Sequence, residues 1–162
     1  MWKAFSILST KYEDLHLVCT RDNFNKNELE LFNKLGIHDK VIHKAASEKE
    51  LINLYSYAEL FIFPSFAEGF GFPLLEAMSC SCPVACSNTS CFPEIAGDAA
   101  LYFNPDSVEN MAFVMENYLV NANLRKEMID RGHRRTELFS WKKSSAQHIQ
   151  LYSNLLGVTK ND

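Results

Sequence analysis

The stretch Leu60-Phe61-Ile62-Phe63-Pro64-Ser65-Phe66-Ala67-Glu68-Gly69-Phe70-Gly71-Phe72-Pro73-Leu74-Leu75-Glu76-Ala77-Met78 decides the architecture. Leu60 to Phe63 is a short apolar run, the pattern of a strand buried on both faces. It runs straight into a loop with glycines at 69 and 71. Pro73 then opens a helix, a position that needs no N–H from it. Such a strand–loop–helix joint leaves backbone N–H groups unpaired and turns the positive end of a helix toward them, which suits an anion. Glu68 and Glu76 bracket the joint. Carboxylates beside an anion site accept hydrogen bonds from hydroxyl groups. An anion joined to a polyol is the chemistry of a nucleoside diphosphate sugar.

Outward from this joint, apolar strands alternate with amphipathic helices. A helix is predicted over Trp2–Leu8 with no cap before it, and a strand over Leu15–Cys19. A second helix starts at Asn25 or Asn27 and stops at Leu35-Gly36, where glycine suits the end. A strand covers Lys40–His43. Ser47-x-x-Glu50 is a capping box that opens a helix through Tyr57. Strands at Pro83–Cys86 and Ala99–Phe103 follow the Pro73–Cys80 helix. Pro105-Asp106-Ser107 starts a helix to Val120, Asn123–Leu138 forms another, and Ser140 caps a last one running to Leu156. The alternation predicts an α/β fold, a Rossmann-like parallel sheet with helices on both faces. Ligands of such sheets sit at the carboxyl ends of the strands, where Glu68 and Glu76 fall. Residues 1–157 read as one domain and 158–162 as a frayed tail.

The 162 residues suffice for one domain with a real core, and 47% are hydrophobic. No run is long and apolar enough to span a membrane, and charges at Lys3, Lys11 and Glu13 interrupt any signal-like start. A net charge of −4 argues against a general nucleic-acid binder, so no nucleic-acid partner is expected. The five cysteines, an odd number without a secretion signal, point to a reducing compartment, hence the cytoplasm. Cys80, Cys82, Cys86 and Cys91 lack the paired C-x2-C knuckles of common zinc sites. Cys82 and Cys86 sit in a predicted strand, where thiols act as small hydrophobes, and no metal is assigned.

At this point the chain resembles a known family. The pattern Pro64-Ser65-x3-Glu68-Gly69-Phe70-Gly71-Phe72-Pro73-x2-Glu76-Ala77-Met78 is similar to the signature of retaining glycosyltransferases of family four. The likeness continues through Cys82-Pro83-Val84, Ser87-Asn88, Pro93-Glu94-x2-Gly97-Asp98-Ala99-Ala100 and Phe139-Ser140-Trp141, and so covers nearly the whole chain. The resemblance implies a GT-B architecture of two facing domains, of which this is the carboxyl-terminal, donor-binding one. It implies transfer of a hexose, mannose or glucose among them, from a nucleoside diphosphate sugar to a glycan or lipid-linked acceptor, without a metal or other cofactor. Glu68 is then the catalytic-site carboxylate that holds donor hydroxyls, and Glu76 accepts the ribose hydroxyls. Amides around Gly69, Phe70, Gly71 and Leu74 approach sugar and diphosphate, Phe72 lines the same loop, and the base lies near Lys44 and Ala45. Such a chain is cytoplasmic or peripheral at the inner face of the membrane.

The sequence departs from that pattern in places. The arginine and lysine that the family uses for the diphosphate belong just upstream of the helix at Met1, so the sequence is expected to begin late, and the resemblance puts an amino-terminal acceptor domain before it. Thr20, Lys44 and Ser81 stand where glycine is usual. Lys44 either crowds the base or supplies a replacement cation. Ser81 carries a steric cost if its backbone is left-handed. A non-catalytic nucleotide-binding or scaffolding module with a degenerate pocket is the competing reading. Glu76, in the first turn of its helix, also has a bland role in complementing the dipole. Phe70 and Phe72 read as wall and packing, Glu94 as a loop-orienting acid, and Arg21 as surface charge within reach of phosphate. Arg125, Lys126, Arg131, Arg134 and Arg135 read as a solvated basic face, with contact to anionic lipid as the weaker alternative.

Overall fold

The computed structural model describes residues 1–20 and 23–157. The readings made of Arg21 and of the 158–162 tail fall outside them. The described elements are α1 (Trp2–Lys11), β1 (Leu17–Cys19), α2 (Lys26–Leu35), a one-turn 3-10 helix (His38–Lys40), β2 (Val41–His43) and α3 (Glu48–Tyr57). They continue with β3 (Phe61–Phe63), α4 (Phe72–Ser79), β4 (Val84–Ser87), α5 (Phe92–Ala96) and β5 (Ala100–Phe103). Three helices close the chain: α6 (Val108–Val120), α7 (Ala122–Thr136) and α8 (Trp141–Leu156).

Local chemistry sets these boundaries. Asn25 accepts from Glu28 N–H at 3.1 Å while its own N–H donates to the Glu28 carboxylate at 2.9 Å, so Asn25 and not Asn27 starts α2. Gly36 ends that helix at φ 66°, left-handed. Ser47 and Glu50 close the same reciprocal box on α3. Ser107, Asn121 and Ser140 cap the last three helices. The sequence did not announce α5, which is a single turn that begins at Phe92, carries Pro93 in its first turn and stops at Gly97.

Every strand pairing is parallel. The single sheet expected from the alternation is, among the described residues, two: β1-β2 and β3-β4-β5. The reason lies at the edge of β3. Phe61 N–H donates to Pro83 carbonyl, so Phe61 and Phe63 bond toward β4 and the backbone of Ile62 faces away. No described strand takes up that outer edge.

Helices cover both faces of β3-β4-β5, and side-chain alternation separates two cores. Val84, Cys86, Ala100, Phe61 and Phe63 point to one, shared with Tyr55, Leu74, Met78, Phe92 and Ile95. Ala85, Phe103, Leu101 and Ile62 point to the other, shared with Phe5, Leu8, Phe32, Met111 and Tyr118. Leu17 and Cys19 of β1 and Val41 of β2 join this second core, which binds the two sheets together. Tyr118 is fully buried and its hydroxyl donates to the Val84 carbonyl at 2.9 Å. On the opposite face α7 crosses α4 closely at Gly132, where a Cβ would lie 3.2 Å from Met78 Cβ and Cγ. By contrast, α8 buries no residue, and only its first side chain, Trp141, stacks on Phe72, with ring centroids 5.7 Å apart.

The buried Tyr118 hydroxyl gives a test of this packing. Tyr118→Phe removes one hydrogen bond from the core and is expected to cost about 1 kcal/mol. In a domain of this size that lowers the melting temperature by about 3 °C, measurable by calorimetry.

Candidate functional site

The site begins where β3 ends. Because β3 and β4 are parallel neighbours, the loop after β3 (residues 64–71) and the loop after β4 (residues 88–91) leave the sheet side by side. Side chains of the second loop grip the backbone of the first. Thr89 Oγ1 donates to the Phe66 carbonyl at 3.0 Å. Ser90 Oγ accepts from Glu68 N–H at 3.2 Å and donates to the Glu68 carbonyl at 3.1 Å. Cys91 Sγ donates to the Phe70 carbonyl at 3.1 Å.

Glu68 is exposed, and its carboxylate accepts from Ser65 Oγ at 2.9 Å. The amides of Gly69, Phe70 and Gly71 have no hydrogen-bond partner among the described residues. Nothing lies within 4 Å of a Cβ built on Gly69, so the space over that residue is open. Gly71 is different. It is buried, holds φ at +96°, and caps α4, where a Cβ would press at 3.4 Å on both Leu74 and Phe92. Its glycine is demanded by the turn, whereas nothing in the protein demands the one at 69.

Leu74 stands differently from expectation. Its N–H donates to the Gly71 carbonyl at 3.0 Å and its side chain is fully buried, so its amide is engaged within the turn. Glu76 also moves: α4 begins at Phe72, not Pro73, which puts Glu76 one residue past the first turn. Its carboxylate is exposed and faces Tyr55 of α3. Burial first, and then the charge of Glu76, push the Tyr55 phenol well above its ordinary range.

Phe70 and Phe72 pack on each other at 4.7 Å, and Phe70 meets Phe139 edge-on at 5.9 Å. With Trp141 they form an aromatic wall beside the loop. Lys44 and exposed Ala45 follow β2, at the start of α3. Lys44 Nζ lies 3.0 Å from the Glu50 carboxylate, so this cation is paired. Hydrogen bonds from Ser47, and then Lys44, hold Glu50 down at about 2. Thr20 is exposed just after β1.

No cysteine is in a disulfide. Burial pushes Cys82 and Cys86 up to about 12, which keeps them protonated and inert. Among the described residues no group of three His, Cys, Asp or Glu side chains is gathered for a metal ion. The basic face of α7 is corrected in part. Arg125 donates to the Tyr118 and Leu119 carbonyls at the end of α6 and pairs with Glu59. Arg131 holds Glu127 and Asp98. Arg135 donates to the Glu94 and Ile95 carbonyls of α5. Only Lys126 and Arg134 of that group remain solvated in the expected way.

With this geometry in place, the comparisons are specific. Residues 1–135 match the family model described as glycosyl transferases group 1. The chain belongs to this family. It is 40% identical over 108 residues to an O-antigen chain mannosyltransferase B of Escherichia coli, an overlap of 67% of this chain and 28% of that protein. It is 32% identical over 132 residues to an MMP alpha-(1->4)-mannosyltransferase of Mycolicibacterium hassiacum, covering 78% of this chain and 32% of the relative. The chain therefore spans less than a third of these relatives. Among solved structures it matches the C-terminal domain of a glycosyl transferase group 1 family protein from Francisella tularensis, with TM-score 0.71 and 26% identity over 85% of this chain and 75% of the other. A glycosyltransferase from Rickettsia africae superposes with TM-score 0.82 at 20% identity, over 99% of this chain and 44% of the other. The fold is the carboxyl-terminal half of a GT-B fold.

The Thr89-Ser90-Cys91 clamp escaped the sequence reading. Its one signal is indirect: parallel neighbours β3 and β4 must have adjacent exit loops.

Two predictions follow from this geometry. Gly71→Ala is expected to destabilise by about 1–2 kcal/mol, from the left-handed φ alone, while Gly69→Ala leaves denaturant midpoints nearly unchanged. Glu50 is held below its ordinary 4.5, so its stabilising contribution is full above that pH and is lost as pH falls toward about 2. Melting curves from pH 6 to 2 are expected to show a shallower acid dependence in Glu50→Gln than in the wild type.

Proposed function

We infer that the group 1 glycosyl transferase chain is the donor-binding part of a retaining hexosyltransferase, and that it holds a nucleoside diphosphate sugar at the carboxyl ends of β3 and β4. One observation carries this reading: amides at Gly69, Phe70 and Gly71 without a partner among the described residues, with open space over Gly69, between the exposed carboxylates of Glu68 and Glu76. Amides and a helix start favour the diphosphate. Glu68 accepts sugar hydroxyls and Glu76 accepts ribose hydroxyls, each as a charge-assisted hydrogen bond. The base lies beside Lys44 and Ala45. Two similar proteins are named mannosyltransferases, which favours mannose as the transferred hexose.

In the reaction an acceptor hydroxyl oxygen bonds to the anomeric carbon. The bond from that carbon to the diphosphate oxygen breaks, and its electron pair leaves with the nucleoside diphosphate. The acceptor proton passes to a base on the acceptor side. Preorganised amides stabilise the charge growing on the leaving group, without a metal or other cofactor. The acceptor, a glycan or lipid-linked glycan, is bound by an amino-terminal domain that faces this one. No described helix is long and apolar enough to cross a membrane, and we place the chain in the cytoplasm, with any attachment to the inner membrane face made through that partner domain.

Ligand-detected NMR against GDP, UDP, ADP and their common hexose conjugates tests the reading. One diphosphate is expected to bind selectively, and Glu76→Ala to weaken it about tenfold, the scale of one charged hydrogen bond. Absence of any nucleotide binding by the chain joined to its amino-terminal domain would overturn the reading in favour of a non-catalytic module.

A further inference from the structure

Ser90 is the one residue that holds Glu68 by both of its backbone groups. It is also one of two non-glycine residues at positive φ among those described, at φ 57°. A left-handed backbone brings the Cβ of a serine too close to the neighbouring carbonyl and is sterically unfavourable. Its hydroxyl accepts from Glu68 N–H at 3.2 Å and donates to Glu68 carbonyl at 3.1 Å. We propose that Ser90 is a positioning residue for the sugar-holding carboxylate, an inference that rests on the donor-site reading above.

The geometry explains how one hydroxyl does this. Glu68 N–H belongs to the peptide plane before the residue and its carbonyl to the plane after it. Fixing both planes fixes φ and ψ of Glu68, and with them the direction of its side chain. Ser65 Oγ, 2.9 Å from the carboxylate, then limits the remaining torsions. The second plane has a further effect. In a trans peptide the carbonyl and the following N–H point in opposite directions. Drawing the Glu68 carbonyl toward Ser90 therefore turns the Gly69 amide away from Ser90, where it has no partner among the described residues. A single side chain thus sets both a hydroxyl acceptor and an anion donor of the site.

Thr89 and Cys91 do not duplicate this role. Thr89 holds the Phe66 carbonyl at 3.0 Å, two residues upstream. Cys91 lies 3.4 Å from the Glu68 carbonyl and 3.1 Å from that of Phe70, but a thiol cannot restrain Glu68 N–H from there.

Two substitutions separate positioning from stability. Ser90→Gly removes the hydroxyl and also the left-handed penalty, so its melting temperature stays close to that of the wild type. Ser90→Ala removes the hydroxyl and keeps the penalty. In the ligand-free full-length protein, amide exchange at Glu68 is expected to quicken about tenfold in both variants. A wild-type exchange rate in either overturns the proposal. Calorimetric titration of the same proteins with GDP-mannose against GDP, and UDP-glucose against UDP, then reads the affinity that the sugar adds. That increment is expected to fall about tenfold in Ser90→Gly and in Glu68→Gln, with no further fall in the double variant and little change for the diphosphates alone. An equal fall for sugar and diphosphate marks a structural role and overturns the proposal. A fall in Glu68→Gln but not in Ser90→Gly overturns it while leaving the donor-site reading intact. No sugar increment in the wild type, or none lost in Glu68→Gln, overturns the donor-site reading and this inference with it.

Discussion

The parallel pairing of β3 with β4 is the constraint on which the site depends. Its register, Phe61 to Val84 and Phe63 to Cys86, places the two exit loops together although they lie some twenty residues apart in the chain. A slip by one residue would send Val84 and Cys86 into the core that now receives Ala85. Tyr118 supports that register from the helical side, because its hydroxyl donates to the carbonyl of Val84. The same pairing leaves no ladder hydrogen bonds beyond the strands themselves. Past Phe63 and Ser87 the two loops are held to each other by side chains, those of Thr89, Ser90 and Cys91.

Charge is distributed to match. Two of the four arginines of α7, Arg125 and Arg135, serve carbonyl groups at helix ends, not solvent or ligand. Arg135 supports a one-turn helix, α5, that has too few internal bonds to hold itself, and its guanidinium also lies 5.2 Å over the Phe139 ring. Arg125 does the same for the end of α6. Lys44 is drawn to the α3 capping box by Glu50. With Arg125, Arg135 and Lys44 engaged, the proposed anion site draws, among the described residues, on backbone amides. A net charge of −4 gives no general attraction to assist them.

Much of this was legible in the sequence, and the reasons are local. The capping box at Ser47 and the glycine stop at Gly36 are read from a few neighbouring residues, and the structure has them as read; the start of α2, open between Asn25 and Asn27, falls at Asn25. The strand–loop–helix joint was visible for the same reason. What was not legible depends on where a helix begins, on which of several partners within reach a group takes, or on contacts between distant residues. Nothing near Leu74 says that its amide turns back to Gly71, because that follows from where α4 begins. Nothing near Lys44 distinguishes a cation for a ligand from one for Glu50, since both lie within its reach. The α7 arginines look like a charged face until α5 and the end of α6 are placed beneath them. The two-sheet arrangement was hidden because hydrophobic patterning reports burial, and Leu17 and Ile62 are packed on a common core without sharing a ladder.

The two left-handed serines show how the fold treats such corners. Ser81 (φ 62°) stands before β4 and Ser90 (φ 57°) after it. Glycine would make either corner without backbone cost. It would also make it without a hydroxyl. Ser81 Oγ lies 3.0 Å from His133 Nε2 and so fastens the end of α4 to α7, beside the close crossing at Gly132. Ser90 fastens one exit loop to the other. In each case the steric cost, on the order of 1 kcal/mol, is comparable to what a hydrogen bond contributes, so stability alone gives little preference for serine. The preference comes from geometry. A hydroxyl at the corner restricts where the neighbouring segment can lie, and at Ser90 that segment carries the carboxylate and the amides proposed for ligand recognition.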